Sequence, residues 1–370
     1  MAEVALRGGP GEVRPAGGGG SARRAWARRQ TLHVAVVYAN PCRWQSRLRL
    51  FRQAVRHLRS LPNVKVYVGE VAYGDRPFEV TSPDRPTDFR FRVRDVLWHK
   101  ENVLNQVIAR FDPGWEYGAY CDGDVTFGRH DVALETVHQL QTYDWVQMFS
   151  TYCDLGPRHL PLRVVKSFAF RFVSGELDDC LCDDASAYGR RCPVSATGLA
   201  WAFRRDSFEA CGRLLDVCIL GSGDWHMAFG LAGRPDCHPP SAELDRVGRP
   251  YAEAIRVWQR RAQRAVRQNV GYVDCHVLHH FHGSKHRRGY TTRWTVLRDH
   301  AFDPYRDLFP DAQGLYRLTP DKPGLRDAVR RYFLSRSEDS TALYPPGDSF
   351  LVDVSAAIGL DVLPDRRAAA

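Results

Sequence analysis

From residue 31 onward, apolar residues come first as a continuous run, then at helical spacing, then as a run again. Residues 32–39 (Leu-His-Val-Ala-Val-Val-Tyr-Ala) are mostly β-branched and apolar, as a strand buried on both faces requires, and Asn40-Pro41 ends it. Leu48, Phe51, Val55 and Leu58 then recur with arginines between them, which predicts an amphipathic helix over 46–60. Pro62-Asn63 breaks that helix, and 64–72 alternates like a strand. A polar, Pro-rich connection over 74–88 leads to a short strand at 89–94. Leu97, Val103, Leu104, Val107 and Ile108 predict a helix over 97–111, which Asp112-Pro113-Gly114 stops before a strand at 116–121. This βαβ alternation predicts an α/β fold with a mainly parallel sheet flanked by helices. Ligands of such sheets bind at the carboxyl ends of the strands.

The second half is less regular. Residues 151–195 are polar, carry Asp178-Asp179 and Asp183-Asp184, and read as an excursion or lid. A strand at 198–204, a helix near 205–214, a helix at 224–231 opened by Gly221-Ser222-Gly223, and a strongly basic helix at 250–268 follow. A strand at 271–282 and a helix at 292–300 complete the pattern. The expected organisation is a tail over 1–30 and one domain over 31–310, with a nucleotide-binding half at 31–126 and an acceptor half at 127–310. Residues 311–370 read as an irregular C-terminal appendage.

Charge and cysteine usage narrow the classes. Residues 1–30 hold six arginines and two glutamates among glycines, so this tail carries +4 of the formal +9 and cannot form a core. The remainder carries only about +5, too little to make nucleic acid the main ligand. There is no run approaching the ~20 apolar residues of a membrane span, and no apolar segment of the kind a secretory signal needs. A cytoplasmic protein is expected. Ten scattered cysteines fit free thiols better than a disulfide scaffold. Cys180, Cys182 and Cys192 cluster, but without the C-x-x-C pair and fourth ligand of a zinc site.

Four segments carry candidate chemistry. Strand 116–121 runs into Asp122-Gly123-Asp124, two carboxylates one residue apart, a hard-oxygen site for Mn²⁺ or Mg²⁺ with positions open to phosphate oxygens. Gly123 lets the backbone turn so that both carboxylates converge. In the strand at 271–282, Val273, Cys275, Val277 and Phe281 share one face, which leaves Asp274, His276, His280 and His282 on the other. His282 stands at the end of this run, where it can complete a metal shell begun by carboxylates. Lys285, His286, Arg287 and Arg288 just beyond suit a diphosphate. The Gly221-Ser222-Gly223 turn gives an acceptor room to approach. Asp224, following it, is either a helix N-cap or the base that deprotonates an acceptor hydroxyl. Finally, Glu101 and Asn105 share a helix face, as do Trp98 and Asn102.

In order, these segments resemble a family of bacterial and viral, galactosyltransferase-like glycosyltransferases with the GT-A fold. The resemblance rests on Asn40-Pro41 after the first strand, Lys100-Glu101 with Asn105, and Asp122-Gly123-Asp124. It continues through Gly198-Leu199-Ala200-Trp201-Ala202-Phe203-Arg204-Arg205 and Leu220-Gly221-Ser222-Gly223-Asp224-Trp225-His226-Met227-Ala228. It closes on His280-Phe281-His282-Gly283 with Arg288, Tyr290 and Arg293, and spans roughly 32–310. It implies metal-dependent transfer of a sugar from a nucleotide-sugar, a UDP-sugar, to a glycan, protein or other hydroxyl acceptor that the sequence does not identify. Asp124 and His282 would hold Mn²⁺ or Mg²⁺, with Asp122 near the metal and the ribose. Asn40, Lys100, Asn105, Asp122, Lys285 and Arg288 would face the donor. Trp201, Gly223 and Trp225 would face the acceptor, and Asp224 would be the base of an inverting reaction. Gly123 stands where the family more often has Ala. Two other classes remain: a metal-dependent nucleotidyl or phosphoryl transferase, for which no phosphate-cradling Gly-rich loop is present, and a non-catalytic carbohydrate- or nucleic-acid-binding protein.

Overall fold

The computed structural model describes residues 31–177, 195–234, 244, 247–290 and 292–342. The tail, the cluster of Cys180, Cys182 and Cys192 with the rest of residues 178–194 of the expected lid, and residues 343–370 lie outside the described residues. In chain order the strands that build the site are β1 (Leu32–Ala39), β2 (Val64–Tyr73), β3 (Asp88–Val93), β4 (Tyr117–Cys121), β5 (Val125–Phe127), β6 (Trp145–Gln147), β7 (Thr151–Leu155), β8 (Pro161–Lys166), β9 (Ala200–Arg204), β10 (Val270–Tyr272) and β11 (His276–His279). Seven of them form the main sheet in the order β10-β6-β9-β4-β1-β2-β3. β1 lies parallel between β2 and β4, with Leu32 opposite Val64 on one side and Tyr117 on the other. β9 runs antiparallel between β4 and β6. The fold is therefore α/β, a large and mostly parallel sheet with helices on its faces, as the alternation predicts.

The continuous apolar run of β1 has a direct cause. Val34 and Val36 turn to the face covered by Phe51, Val55 and Leu58 of helix Gln45–Ser60. Ala35 turns to the face where Val103, Leu104 and Val107 of helix Lys100–Ile108 pack. Helices cover both faces, so no position of β1 is left for polar alternation. Each large side chain buried in this way contributes about 1.5–3 kcal/mol.

A second sheet, in the order β5-β11-β7-β8, is not separable in the sequence pattern. Residues 151–166 belong to the hairpin β7–β8 and not to a polar excursion. The stretch 271–282 is not one strand. β10 pairs with β6 in the main sheet, and β11 pairs with β5 and β7 in the second. The chain crosses between sheets at 273–275, where Val273 and Cys275 stay buried, so the alternation continues while the pairing partner changes.

Beyond residue 311 the chain returns to the site. Helix Pro323–Ser335 buries Leu325, Val329, Tyr332 and Phe333. The strap after it, Arg336-Ser337-Glu338-Asp339, crosses the start of helix Gln45–Ser60. Trp44 at that helix's N-cap gives no side-chain cap. The Asp339 carboxylate takes that role, accepting from the amides of Gln45 (2.9 Å) and Ser46 (2.7 Å). Burial pushes its carboxyl up, but the two amides outweigh this and hold it below the ordinary value. Asp339→Ala is expected to cost about 1 kcal/mol of stability at neutral pH. That contribution is present above the unfolded carboxyl's pKa near 4 and is lost as pH falls through the depressed folded value. Urea unfolding at pH 7 checks it, and equal midpoints for the variant and the parent would show that the cap contributes nothing.

Candidate functional site

β4 ends at Cys121, and Asp122-Gly123-Asp124 emerge at its carboxyl end into a cavity of about 640 Å³, within the range of small-molecule sites. Gly123 is needed for close approach, not for a turn. A Cβ there would lie 2.5 Å from the ring of Phe51. The two carboxylates have different partners. Asp122 pairs with Lys100, whose ammonium also sits over the Tyr120 ring. Burial pushes the Asp122 carboxyl up, with Lys100 opposing and Asp124 adding to the rise. Burial lowers Lys100, but Asp122, Glu101 and Asp224 outweigh it and hold its ammonium protonated.

Asp124 points instead at imidazoles. Its Oδ2 lies 2.9 Å from His282 Nε2 and 3.9 Å from His279 Nε2. Burial would raise its carboxyl, but His282, His279 and Arg288 hold it well below the usual range. The strand register places His279. In β11 it stands opposite Val125 of β5, next to Asp124, and opposite Asp154 of β7. Its Nδ1 meets Asp154 Oδ1 at 2.7 Å. His282 Nδ1 meets Glu338 Oε2 at 3.1 Å, and Arg288 Nη2 lies 3.0 Å from His282 Nε2. One ligand atom from each of Asp124, His279 and His282 lies within 4.8 Å of the others. Asp124 Oδ1 is buried with no hydrogen-bond partner among the described residues. A carboxylate with one oxygen lacking a donor and the other facing two imidazole nitrogens fits a divalent cation. His276 and His280 do not join this group. His276 is exposed on the opposite face of β11, and His280 Nε2 meets Thr126 Oγ1 at 2.9 Å. Three histidines on one strand face is therefore corrected to His279 on the inward face, with His282 arriving after the strand has ended.

Of the cations expected to face a diphosphate, Lys285 and Arg288 line the cavity, whereas Arg287 is exposed and donates to Ser337 Oγ at 3.0 Å. Lys285 donates to Asp154 and to Tyr152 Oη (3.3 Å). Burial lowers its pKa to about 8, partly offset by Asp154. Arg288 donates to Tyr290 Oη at 3.1 Å.

Elsewhere the cavity meets the Gly-Ser-Gly turn. Gly221 (φ +88°) and Ser222 (φ +75°) are both left-handed, a costly conformation for serine. Arg293 holds the turn by donating to Leu220 O (3.1 Å) and to Ser222 Oγ. The helix begins at Gly223 with Ser222 at its N-cap, so Asp224 is not the cap. Its Oδ2 accepts from Thr197 Oγ1 at 3.2 Å, and it lines the cavity with Trp225. A Cβ on Gly198 would lie 2.6 Å from that oxygen, so the glycine makes room for the carboxylate. Glu101 lines the same wall. Burial raises its carboxyl to about 7, with Lys100 opposing and Asp224 adding.

Four expected site residues serve the fold instead. Asn40 closes the turn after β1, donating to Trp44 O (2.9 Å) and Tyr38 Oη (3.0 Å) and accepting from Trp44 N (2.9 Å). Asn105 does the same for residues 214–216, bonding Leu214 O, Leu214 N and Asp216. Trp201 is 2% exposed in the core, its indole donating to Thr197 O at 2.8 Å, so it cannot form a sugar-facing wall. Gly223 packs against Glu101 and Leu215 O, 3.1 Å from where its Cβ would stand.

Residues the sequence reading missed are Asp154, His279, Glu338 and Arg47. Asp154 and His279 each put a polar group on the face of a strand that otherwise points inward, and that signal was legible. Glu338, in a polar strap, has no local signal.

No protein-family model matches this chain, and no curated protein matches its sequence. Among solved structures it is similar to a "putative nucleotide-diphospho-sugar transferase" from Desulfovibrio desulfuricans G20 at 12% identity and a TM-score of 0.28, over 82% of this chain and 98% of that one. Among the described residues, no helix is long and apolar enough to cross a membrane.

Proposed function

We propose that this chain is a metal-dependent glycosyltransferase that moves a sugar from a nucleotide-sugar, a UDP-sugar, onto a hydroxyl acceptor with inversion. The observation that carries the reading is Asp124 at the carboxyl end of β4, facing His282 across 2.9 Å in the cavity that also holds Asp224. Asp124 and His282 would hold Mn²⁺ or Mg²⁺, which when bound neutralises charge on a diphosphate leaving group. Lys285 and Arg288 add fixed positive charge for the same diphosphate. The acceptor hydroxyl oxygen bonds to the anomeric carbon while the carbon–oxygen bond to the diphosphate breaks and its electron pair leaves on the phosphate oxygen. Asp224 takes the hydroxyl proton, and Thr197 holds that carboxylate in place from the other side.

The test uses the full chain with UDP-, GDP-, CMP- and TDP-sugars, with and without Mn²⁺. Slow release of free nucleotide from one donor, only with the cation, is the expected result. Neither hydrolysis nor a thermal shift with any donor would overturn the reading.

A further inference from the structure

We propose that the cation centre of this chain is one carboxylate with two imidazoles, Asp124 with His279 and His282, and not the paired carboxylates of Asp122 and Asp124. Buried Asp154 and Glu338 act as the positioning residues of the two rings. The inference rests on the metal dependence proposed above and specifies who the ligands are.

Asp122 is paired elsewhere, its carboxylate with the half-buried ammonium of Lys100. His279 and His282 are both oriented for ligation. Each Nδ1 faces a carboxylate oxygen, Asp154 at 2.7 Å and Glu338 at 3.1 Å. A carboxylate only accepts, so each Nδ1 carries a hydrogen, which leaves each Nε2 free to ligate once a cation replaces the hydrogen facing Asp124. Both Nε2 atoms face the same oxygen of Asp124, and the two rings stand 5.6 Å apart at 73°. Ligands held at about 2.1 Å around one cation stand roughly 3 Å apart in adjacent positions, so a small inward shift of His279 completes the set.

The two positioning carboxylates are not ligands themselves, because cations occupy them. Asp154 accepts from Arg163 Nε (2.7 Å) and from Lys285. Glu338 accepts from Arg47 Nε (2.9 Å) and Nη2 (2.7 Å) and from Arg336 Nε (2.8 Å). Arg288, 3.0 Å from His282 Nε2, must yield when a cation arrives. Its guanidinium is then available to an anion beside the centre.

A two-nitrogen, one-oxygen set has a chemical consequence. Imidazole favours transition cations, whereas Mg²⁺ prefers oxygen and keeps its water. The centre therefore favours first-row transition cations over Mg²⁺, with Mn²⁺ the weakest binder among them.

The experiment is pulsed electron paramagnetic resonance on the full chain, stripped with chelator and reloaded with Mn²⁺ alone. Two imidazole nitrogens coupled to the Mn²⁺ are expected in the parent and one in His279→Gln. Glu338→Gln is expected to weaken Mn²⁺ binding by about 10–100-fold, the scale of a lost outer partner. Mg²⁺ at about tenfold excess should displace little Mn²⁺. A single coupled imidazole in the parent, or unchanged Mn²⁺ affinity in His279→Gln, would overturn the proposal, and the parent spectrum decides even if a variant fails to fold. Two imidazoles on Mn²⁺ in a protein that hydrolyses no nucleotide-sugar would keep this centre and remove glycosyl transfer. Hydrolysis with one imidazole would do the reverse.

Discussion

Asp124→Asn is expected to lose Mn²⁺ binding and, with it, donor turnover. The substitution replaces the carboxylate that both imidazole Nε2 atoms face with a neutral amide, and a dication has little reason to settle there. The fall in affinity should exceed the roughly 10–100-fold that follows loss of an outer-shell partner, because Asp124 is a direct ligand in this scheme. An amide fills the same volume and can still meet His282, so the fold should survive without metal, with some stability lost because the charge facing His282 and Arg288 is gone. Calorimetry with Mn²⁺ separates the two effects. Full donor binding by Asp124→Asn in the presence of chelator would sink the metal-dependent scheme.

Asp224→Asn is expected to lower kcat by about 10²–10⁴-fold, the range for loss of a general base, while Mn²⁺ and donor binding barely change. The structure sharpens this test. Had Asp224 been the N-cap, asparagine would have replaced it well. Ser222 occupies that position and makes no side-chain cap bond, while the Asp224 carboxylate is turned to Thr197 on the cavity wall. Asparagine can keep the bond from Thr197 through its amide oxygen, so stability should hold while proton acceptance is lost. Steady-state kinetics beside a melting curve distinguish the outcomes, and an active, stable variant would exclude Asp224 from the chemistry.

What the sequence revealed follows from what periodicity can encode. The strands β1, β2 and β4 and the helices between them were legible because burial imposes a continuous apolar run on β1 and alternation on β2, and a helix packed on one side imposes a stripe. The position of Asp122-Gly123-Asp124 followed from where β4 ends. The second sheet was not legible, because Val273 and Cys275 keep the alternation going while the chain changes sheets. The ring pairing was missed for a related reason. His279 lies on the face read as apolar, and its partner Asp154 lies in a segment read as loop. Asn40, Asn105 and Trp201 show the converse. Their place in motif-like segments drew a functional reading, whereas their hydrogen bonds close turns and fill the core. A side-chain amide that substitutes for backbone partners looks the same in sequence as one that binds a ligand.

The strap at 336–339 has a consequence for how the protein is made. Asp339 caps a helix whose first turn lies 293 residues earlier, and Glu338 meets Arg47 across 291 residues. At about 5–20 residues per second, synthesis needs roughly 15–60 seconds to deliver that cap after the helix itself has emerged. Throughout that interval the nascent chain carries an uncapped helix end and an arginine without its carboxylate. A released chain ending before residue 338 would therefore carry most of the fold without Glu338 and Asp339 of the strap. Such a truncated chain would be recognisable by folding assays as nearly native and by Mn²⁺ affinity as unfinished.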